Sequence, residues 1–148
     1  TAANVIPDTV TMEGTVRTVS RETRAMMEEK IRQIACHGAE ALGASCEVEY
    51  KKGVPAVICD PAVVERIRKA AVEELGSENV VALETPSMGS EDFARYLEKV
   101  PGAMFRIGTA SEDPATRLPL HNGGIRFDER AVLAGAVTFG RLAAEYLR

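Results

Sequence analysis

The stretch VTMEGTVRTVSRETRAMMEEKIRQIACHGAEALGASCEVEYKKG, from Val10 to Gly53, changes its periodicity twice, and those changes set the fold class. Between Val10 and Thr18 the residues alternate. Val10, Met12, Gly14 and Val16 take one face and Thr11, Glu13, Thr15 and Arg17 the other, the pattern of a half-buried strand. Ser20 then opens a long helix in which Met27, Ile31, Ile34, Gly38, Ala41 and Leu42 lie along one apolar stripe. Gly43 closes it, as glycine does where a helix must end in a left-handed residue. Cys46, Val48 and Tyr50 alternate again, and Lys51-Lys52-Gly53 interrupts the pattern before VPAVIC. The segment reads strand, helix, strand.

Further along, Asp60-Pro61 is a strong helix start, because the carboxylate accepts from free N–H groups while proline fits the first helical position. Val64, Ile67, Ala71 and Leu75 supply the buried face of that helix, and Gly76 ends it. Asn79 to Leu83 and Ala103 to Ile107 read as strands. Between them lies PSMGSEDFARYLEKVPG, from Pro86 to Gly102. Here Ser90 is placed to cap a short amphipathic helix carrying Phe93, Tyr96, Leu97 and Val100, with Glu91 and Asp92 in its first turn, where the macrodipole favours negative charge. Such a helix start is also a seat for an anion.

Residues 109 to 124 are rich in Pro, Gly, Ser, Thr and Asp and form a long loop, a kind of segment that in compact domains tends to carry function. The chain ends in a helix from about Glu129 to Arg148. It is apolar on much of its circumference through Val132, Leu133, Ala136, Val137, Phe139, Leu142, Ala143 and Leu147, and is expected to be largely buried. A boundary falls near Cys59-Asp60.

The balance of 45% hydrophobic and 27% charged residues over 148 positions is that of a globular protein. No apolar run reaches the roughly 20 residues of a membrane helix, so no membrane is expected and a soluble, cytoplasmic protein is. A formal net charge of −4 with dispersed basic residues lacks the electrostatic footprint of a nucleic-acid binder. Cys36, Cys46 and Cys59 are odd in number and form no CxxC pair, which suits free thiols in a reducing compartment.

Two histidines are present. His37 follows Cys36 on the long helix, where adjacent residues diverge and cannot share one ion, so it reads as structural or exposed. His121 stands in the loop as PLHNGG, a setting that presents a side chain, but one histidine does not make a metal site.

NVIPDTVTMEGTVRT from Asn4 to Thr18, MGSEDFA from Met88 to Ala94, and PLHNGG around His121 occur in this order. Together they closely resemble the bacterial N-acyl-amino-acid amidohydrolases, hippurate hydrolase among them, of the wider metallopeptidase family of aminoacylase and succinyl-diaminopimelate desuccinylase. The resemblance spans essentially the whole chain. It implies an α/β (α+β) fold: residues 1–58 as the second half of a ferredoxin-like lid or dimerisation domain, and residues 59–148 as the C-terminal part of a three-layer α/β/α catalytic domain.

By the same resemblance His121 is a metal ligand, one of the donors to two divalent ions, zinc or manganese. Asn4 and Arg17 are lid residues that hold the substrate carboxylate, and the Gly89-Ser90 backbone meets the same carboxylate. The general base and the other metal ligands are expected upstream, so no catalytic residue is assigned within the chain. Glu28-Glu29 and Glu73-Glu74 sit inside predicted helices and do not replace the family's catalytic pair. The sequence departs from the family after the histidine and asparagine. Gly123, Gly124, Ile125 and Arg126 stand where proline and an aromatic-Asp pair are common.

The reading is thus the C-terminal portion of a metal-dependent amidohydrolase acting on small N-acyl amino acids, a homodimer through its lid, and inactive as this chain alone. The alternative is a noncatalytic dimerisation or assembly module that keeps the lid surface. Half a lid leaves an unpaired sheet edge and an apolar helix face, both of which favour association.

Overall fold

A computed structural model describes residues 4–147. The chain divides into two compact units: the first holds the residues up to Ala56 together with Met88–Ser90, the second Val57–Ser87 and the residues from Glu91 onward.

In the first unit the long helix, α1, spans Arg21–Ala41. Ser20 caps it as its sequence predicts, with Oγ accepting from Thr23 N at 3.1 Å. The helix ends where Leu42 N and Gly43 N bond back to Ala39 O and Glu40 O, with Gly43 at φ 74, a backbone a side chain adopts only under strain. The chain then returns along the helix in extended form. Arg24 donates to the carbonyls of Gly53 and Val54, Arg32 Nη1 donates to Val48 O at 2.7 Å, and Lys52 pairs with Glu28 at 2.8 Å.

This return decides which face of α1 is covered. Seven half-buried positions, Arg24, Met27, Glu28, Ile31, Ala35, Cys36 and Ala39, form a stripe at steps of three to four, with Gln33 half-buried beside it. Ile34 is 73% and Leu42 88% exposed, so the expected stripe is right at Met27 and Ile31 and wrong at its C-terminal end. Long polar side chains reaching over the return segment turn the covered face toward themselves. Val10 to Thr18, expected as a half-buried strand, is non-helical, with Val10 77% and Met12 90% exposed, so its alternating pattern faces no partner among the described residues of the unit.

In the second unit Asp60 Oδ1 accepts from Ala62 N and Val63 N at 2.9 and 3.1 Å and starts α2, Pro61–Leu75. Gly76 ends it at φ 87. Ser77–Asn79 forms a single 3₁₀ turn, after which Val81 and Leu83 run extended and exposed. Helix α3 covers only Ala94–Leu97, and α4 runs from Arg130 to Tyr146.

Helix α2 packs on α4. Gly135 and Thr138 are the buried positions of α4. A Cβ at Gly135 would come within 2.8 Å of Ile107 Cδ1, so glycine here is what lets the 103–107 segment lie against the helix. Phe105 and Phe139 add a tilted ring pair at 5.1 Å. Arg141 ties the two helices, pairing with Glu73 on α2 and, at 3.1 Å, with Glu145 on its own helix. These pairs account for Glu28 and Glu73 as ion-pair partners.

α4 differs from its expectation of burial: Val132, Leu133 and Phe139 are 74%, 67% and 60% exposed. Its apolar circumference is wider than α2 and the 103–107 segment can cover. Among the described residues only Ala70 and Ala94 are fully buried hydrophobics. The chain exposes 12273 Å², against roughly 8,800 Å² for two compact bodies of these sizes, so much apolar surface lacks a cover. The segments expected as strands form no ladder among the described residues. No described helix is long and apolar enough to cross a membrane.

Candidate functional site

The loop that holds His121 is closed at its neck, where Asp128 N donates to Thr109 O at 3.2 Å. Inside the neck Asp113-Pro114 repeats the start signal of α2 in miniature. Asp113 Oδ1 accepts from Ala115 N at 2.9 Å and opens a 3₁₀ turn, Pro114–Arg117. Thr116, 7% exposed, knots this base: its Oγ1 donates to Asp113 O at 2.7 Å and accepts from Ser111 N at 2.8 Å. Arg117 Nε donates to Ser111 O, and Arg126 N to Ala115 O. Buried polar atoms are thereby paired, which makes the base stiff.

From this base the tip projects. Asn122 N donates to Pro119 O at 3.2 Å, closing a four-residue turn with His121 third. His121 has φ 69, and it is the one non-glycine residue at positive φ among those described. That position in a turn favours glycine, and a histidine there is strained. Asn122 Oδ1 accepts from Gly124 N at 2.9 Å and Ile125 N donates to Asn122 O, so the backbone after the histidine is held as well. The imidazole itself is exposed. The structure thus presents an exposed imidazole on a turn that its neighbours fix and its own backbone resists.

After the loop Asp128 Oδ1 accepts from Arg130 N at 3.0 Å, while its carboxylate forks onto the Arg130 guanidinium. The bond from that guanidinium, and then the bond from the Arg130 backbone, hold the Asp128 carboxyl well below its usual range, at about 2. Sequence reading missed Asp113, Thr116 and Asp128 as braces, although Asp-Pro at 113–114 carried the same signal as at 60–61.

The other candidates lie in the first unit. Asn4 lies in a turn and is exposed, and Arg17 is exposed on the extended segment. Gly89 and Ser90 group with this unit, which therefore carries all the residues assigned to the substrate carboxylate, while His121 belongs to the second. The segment after Ser90 differs from its expectation. No side chain caps α3, which begins only at Ala94 with Phe93 as its N-cap; Glu91 Oε1 accepts from Phe93 N at 3.1 Å in the turn ahead of it. Four helical residues carry little of a macrodipole, so the anion seat expected of a longer helix is reduced to local N–H groups. His37 is exposed.

Among the described residues no group of three His, Cys, Asp or Glu is placed to hold a metal. The exposed His121 imidazole can offer one nitrogen to a divalent ion. Zinc takes three or four protein ligands, so His121 fits as a contributor to a site completed by other residues.

Residues 3–145 match the model of peptidase family M20/M25/M40. The chain belongs to this family. It is 41% identical over 145 residues to the "Probable hydrolase" of Synechocystis sp., covering 98% of this chain and 37% of that protein. It is 36% identical over 143 residues to the N-acetylcysteine deacetylase of Bacillus subtilis, with 97% and 36% covered. With the thermostable carboxypeptidase 1 of Saccharolobus solfataricus it shares 32% identity over 147 residues, 99% and 36%. The chain spans little more than a third of the length of these relatives. The comparison with solved structures found no match.

Proposed function

We propose that this chain is the C-terminal part of a metal-dependent amidohydrolase that removes the acyl group from a small N-acyl amino acid. The observation that carries the reading is His121, an exposed imidazole on a strained turn whose base is knotted by Thr116. Strain of that kind persists where the surrounding structure over-determines it, and it gathers at sites of function. Family membership and a relative named as an N-acetylcysteine deacetylase favour an amide bond on an amino acid as the target.

In this reading His121 gives one neutral nitrogen to a divalent ion, zinc or manganese, in a two-ion site whose other ligands and general base stand outside these residues. When bound, the metal supplies Lewis acidity and an activated water. Arg17 offers a two-pronged cation and Asn4 an amide donor to the substrate carboxylate, with the Gly89-Ser90 backbone as a third contact. Hippurate is the model substrate. Residues 1–58 form the second half of a lid that pairs two subunits, and residues 59–148 the end of an α/β/α catalytic domain. The alternating segment from Val10, open on both faces, gives the pairing surface its sheet edge. Free thiols at all three cysteines suit the cytoplasm.

The test is hydrolysis of hippurate and other N-acyl amino acids by the intact protein. Activity should vanish with a chelator and return with zinc or manganese. Arg17→Ala should raise KM on the order of tenfold to a hundredfold with a smaller change in kcat, the loss of charge-assisted bonds to a carboxylate. Activity indifferent to chelation would overturn the reading. A dimer that binds no metal and hydrolyses nothing would transfer the assignment to the pairing module.

A further inference from the structure

Along α1 and the extended segment that follows, the two stretches meet at matched steps. Ala44 N donates to Ala39 O at 2.9 Å where the chain turns back, and Arg32 Nη1 reaches Val48 O at 2.7 Å. Between these contacts Cys36 Sγ lies 3.6 Å from Cys46 O. The spacing has a simple cause. Four helical residues rise about 6 Å and two extended residues about 6.6 Å, so a step from the 36·46 contact to the 32·48 contact advances both stretches by nearly equal lengths. The register of the return therefore sets Cys36 beside Cys46, with Cys36 Sγ against the Cys46 carbonyl and Cys46 Sγ 3.8 Å from Glu47 O. Both belong to the first unit.

Their surroundings differ. Cys46 is exposed, Cys36 half-buried, and both are free thiols. Burial, and after it the Cys46 thiol alongside, push the Cys36 thiol above its ordinary range. An open thiol beside a shielded one is the arrangement in which the first meets an incoming reagent and the second attacks from within.

We propose that Cys36 and Cys46 are an oxidisable pair that closes to an intramolecular disulfide by exchange with a small disulfide such as glutathione disulfide. The Cys46 thiolate attacks one glutathione sulfur, breaking the glutathione S–S bond and releasing one glutathione thiolate. The Cys36 thiolate then attacks the Cys46 sulfur, forming the internal S–S bond and expelling the second glutathione thiolate. Two protein thiols are oxidised and one glutathione disulfide is reduced to two thiols. The two protons lost by the cysteines pass through solvent to the released thiolates. The second step quickens as pH rises, because it needs the Cys36 thiolate, and burial, the neighbouring Cys46 and the Glu40 carboxylate hold that proton on against the opposing pull of Arg32. Closure locks the last turns of α1 to the return segment.

Cys59 is the internal control. It sits in the second unit with Sγ against the Met104 backbone, accepting from Met104 N at 3.4 Å, and has no facing thiol. The full-length protein, reduced and then freed of reductant, is incubated with glutathione disulfide, trapped with iodoacetamide and digested with trypsin. Residues 33–51 carry both cysteines on one tryptic peptide. That peptide should appear unalkylated and lighter by two hydrogens, about tenfold or more sooner than any Cys59 adduct, because the second thiol acts at the high effective concentration of an intramolecular partner. Cys36→Ser should instead accumulate glutathione on Cys46, without closure. A lasting glutathione adduct on Cys46 in the unaltered protein would overturn the proposal. So would alkylation of both thiols after Cys59 has reacted.

Discussion

The α1 return in the first unit and the His121 loop in the second are both irregular backbone held by polar bonds, yet they are held in opposite ways. Along the return, long side chains from α1 reach out at regular intervals, and the extended chain they hold has ordinary backbone angles apart from Gly43 at its turn. In the loop the bonds gather at the base around Thr116 and Asp113, and the tip carries the one strained non-glycine residue described. Even support makes a surface. Concentrated support lets a single residue be forced into a position it would not choose, which is what presenting a ligand requires.

This contrast can be broken from the side of packing first. Gly135→Val places side-chain atoms where Ile107 Cδ1 already lies, and should destabilise the second unit by about 1–3 kcal/mol. Hydrogen exchange should show protection lost in α2 and α4 and kept in α1. Equal loss in both would mean that the units do not respond separately.

A smaller effect is expected at the start of α2. Asp60→Ala removes two cap bonds and should cost about 1 kcal/mol in chemical denaturation, with little change in the His121 loop.

The smallest effect is one of pH. The Asp128 carboxyl is held at about 2 by its bonds to Arg130, below the roughly 3.9 of an unfolded chain. A group lowered on folding contributes stability in full above its unfolded value and loses it as pH falls through the folded one. Tm should therefore fall between about pH 4 and 2, and Asp128→Asn should flatten that part of the curve while leaving higher pH little changed.

Much of the helical frame is legible in the sequence. Ser20, Gly43, Asp60-Pro61 and Gly76 carry their own start and stop chemistry, and α1 and α2 begin and end beside them. The face α1 covers is less so, because Arg24 and Arg32 decide it through bonds to distant backbone, and Lys52 through its ion pair with Glu28, none of which periodicity records. α4 misleads because an apolar circumference says how much surface seeks cover, not how much this chain provides. Of the candidate site, PLHNGG marks the histidine, but its left-handed backbone is invisible in the letters: His occupies a turn position where Gly or Asn would have announced itself. The four-residue α3 is likewise not legible: Ser90 is placed to cap a longer helix, yet no side chain caps α3, and the Glu91 carboxylate turns to Phe93 N ahead of it.

His121→Gly in the intact protein, followed by activity and unfolding together, separates a turn strained for the sake of a ligand from one strained for the fold. Glycine accepts φ 69 without strain, so stability should rise by about 1 kcal/mol. Hydrolysis of an N-acyl amino acid should fall on the order of a hundredfold or more through loss of the ligand, mainly in kcat. A variant that keeps its activity, or that loses activity together with stability, would overturn the assignment of His121 as a ligand.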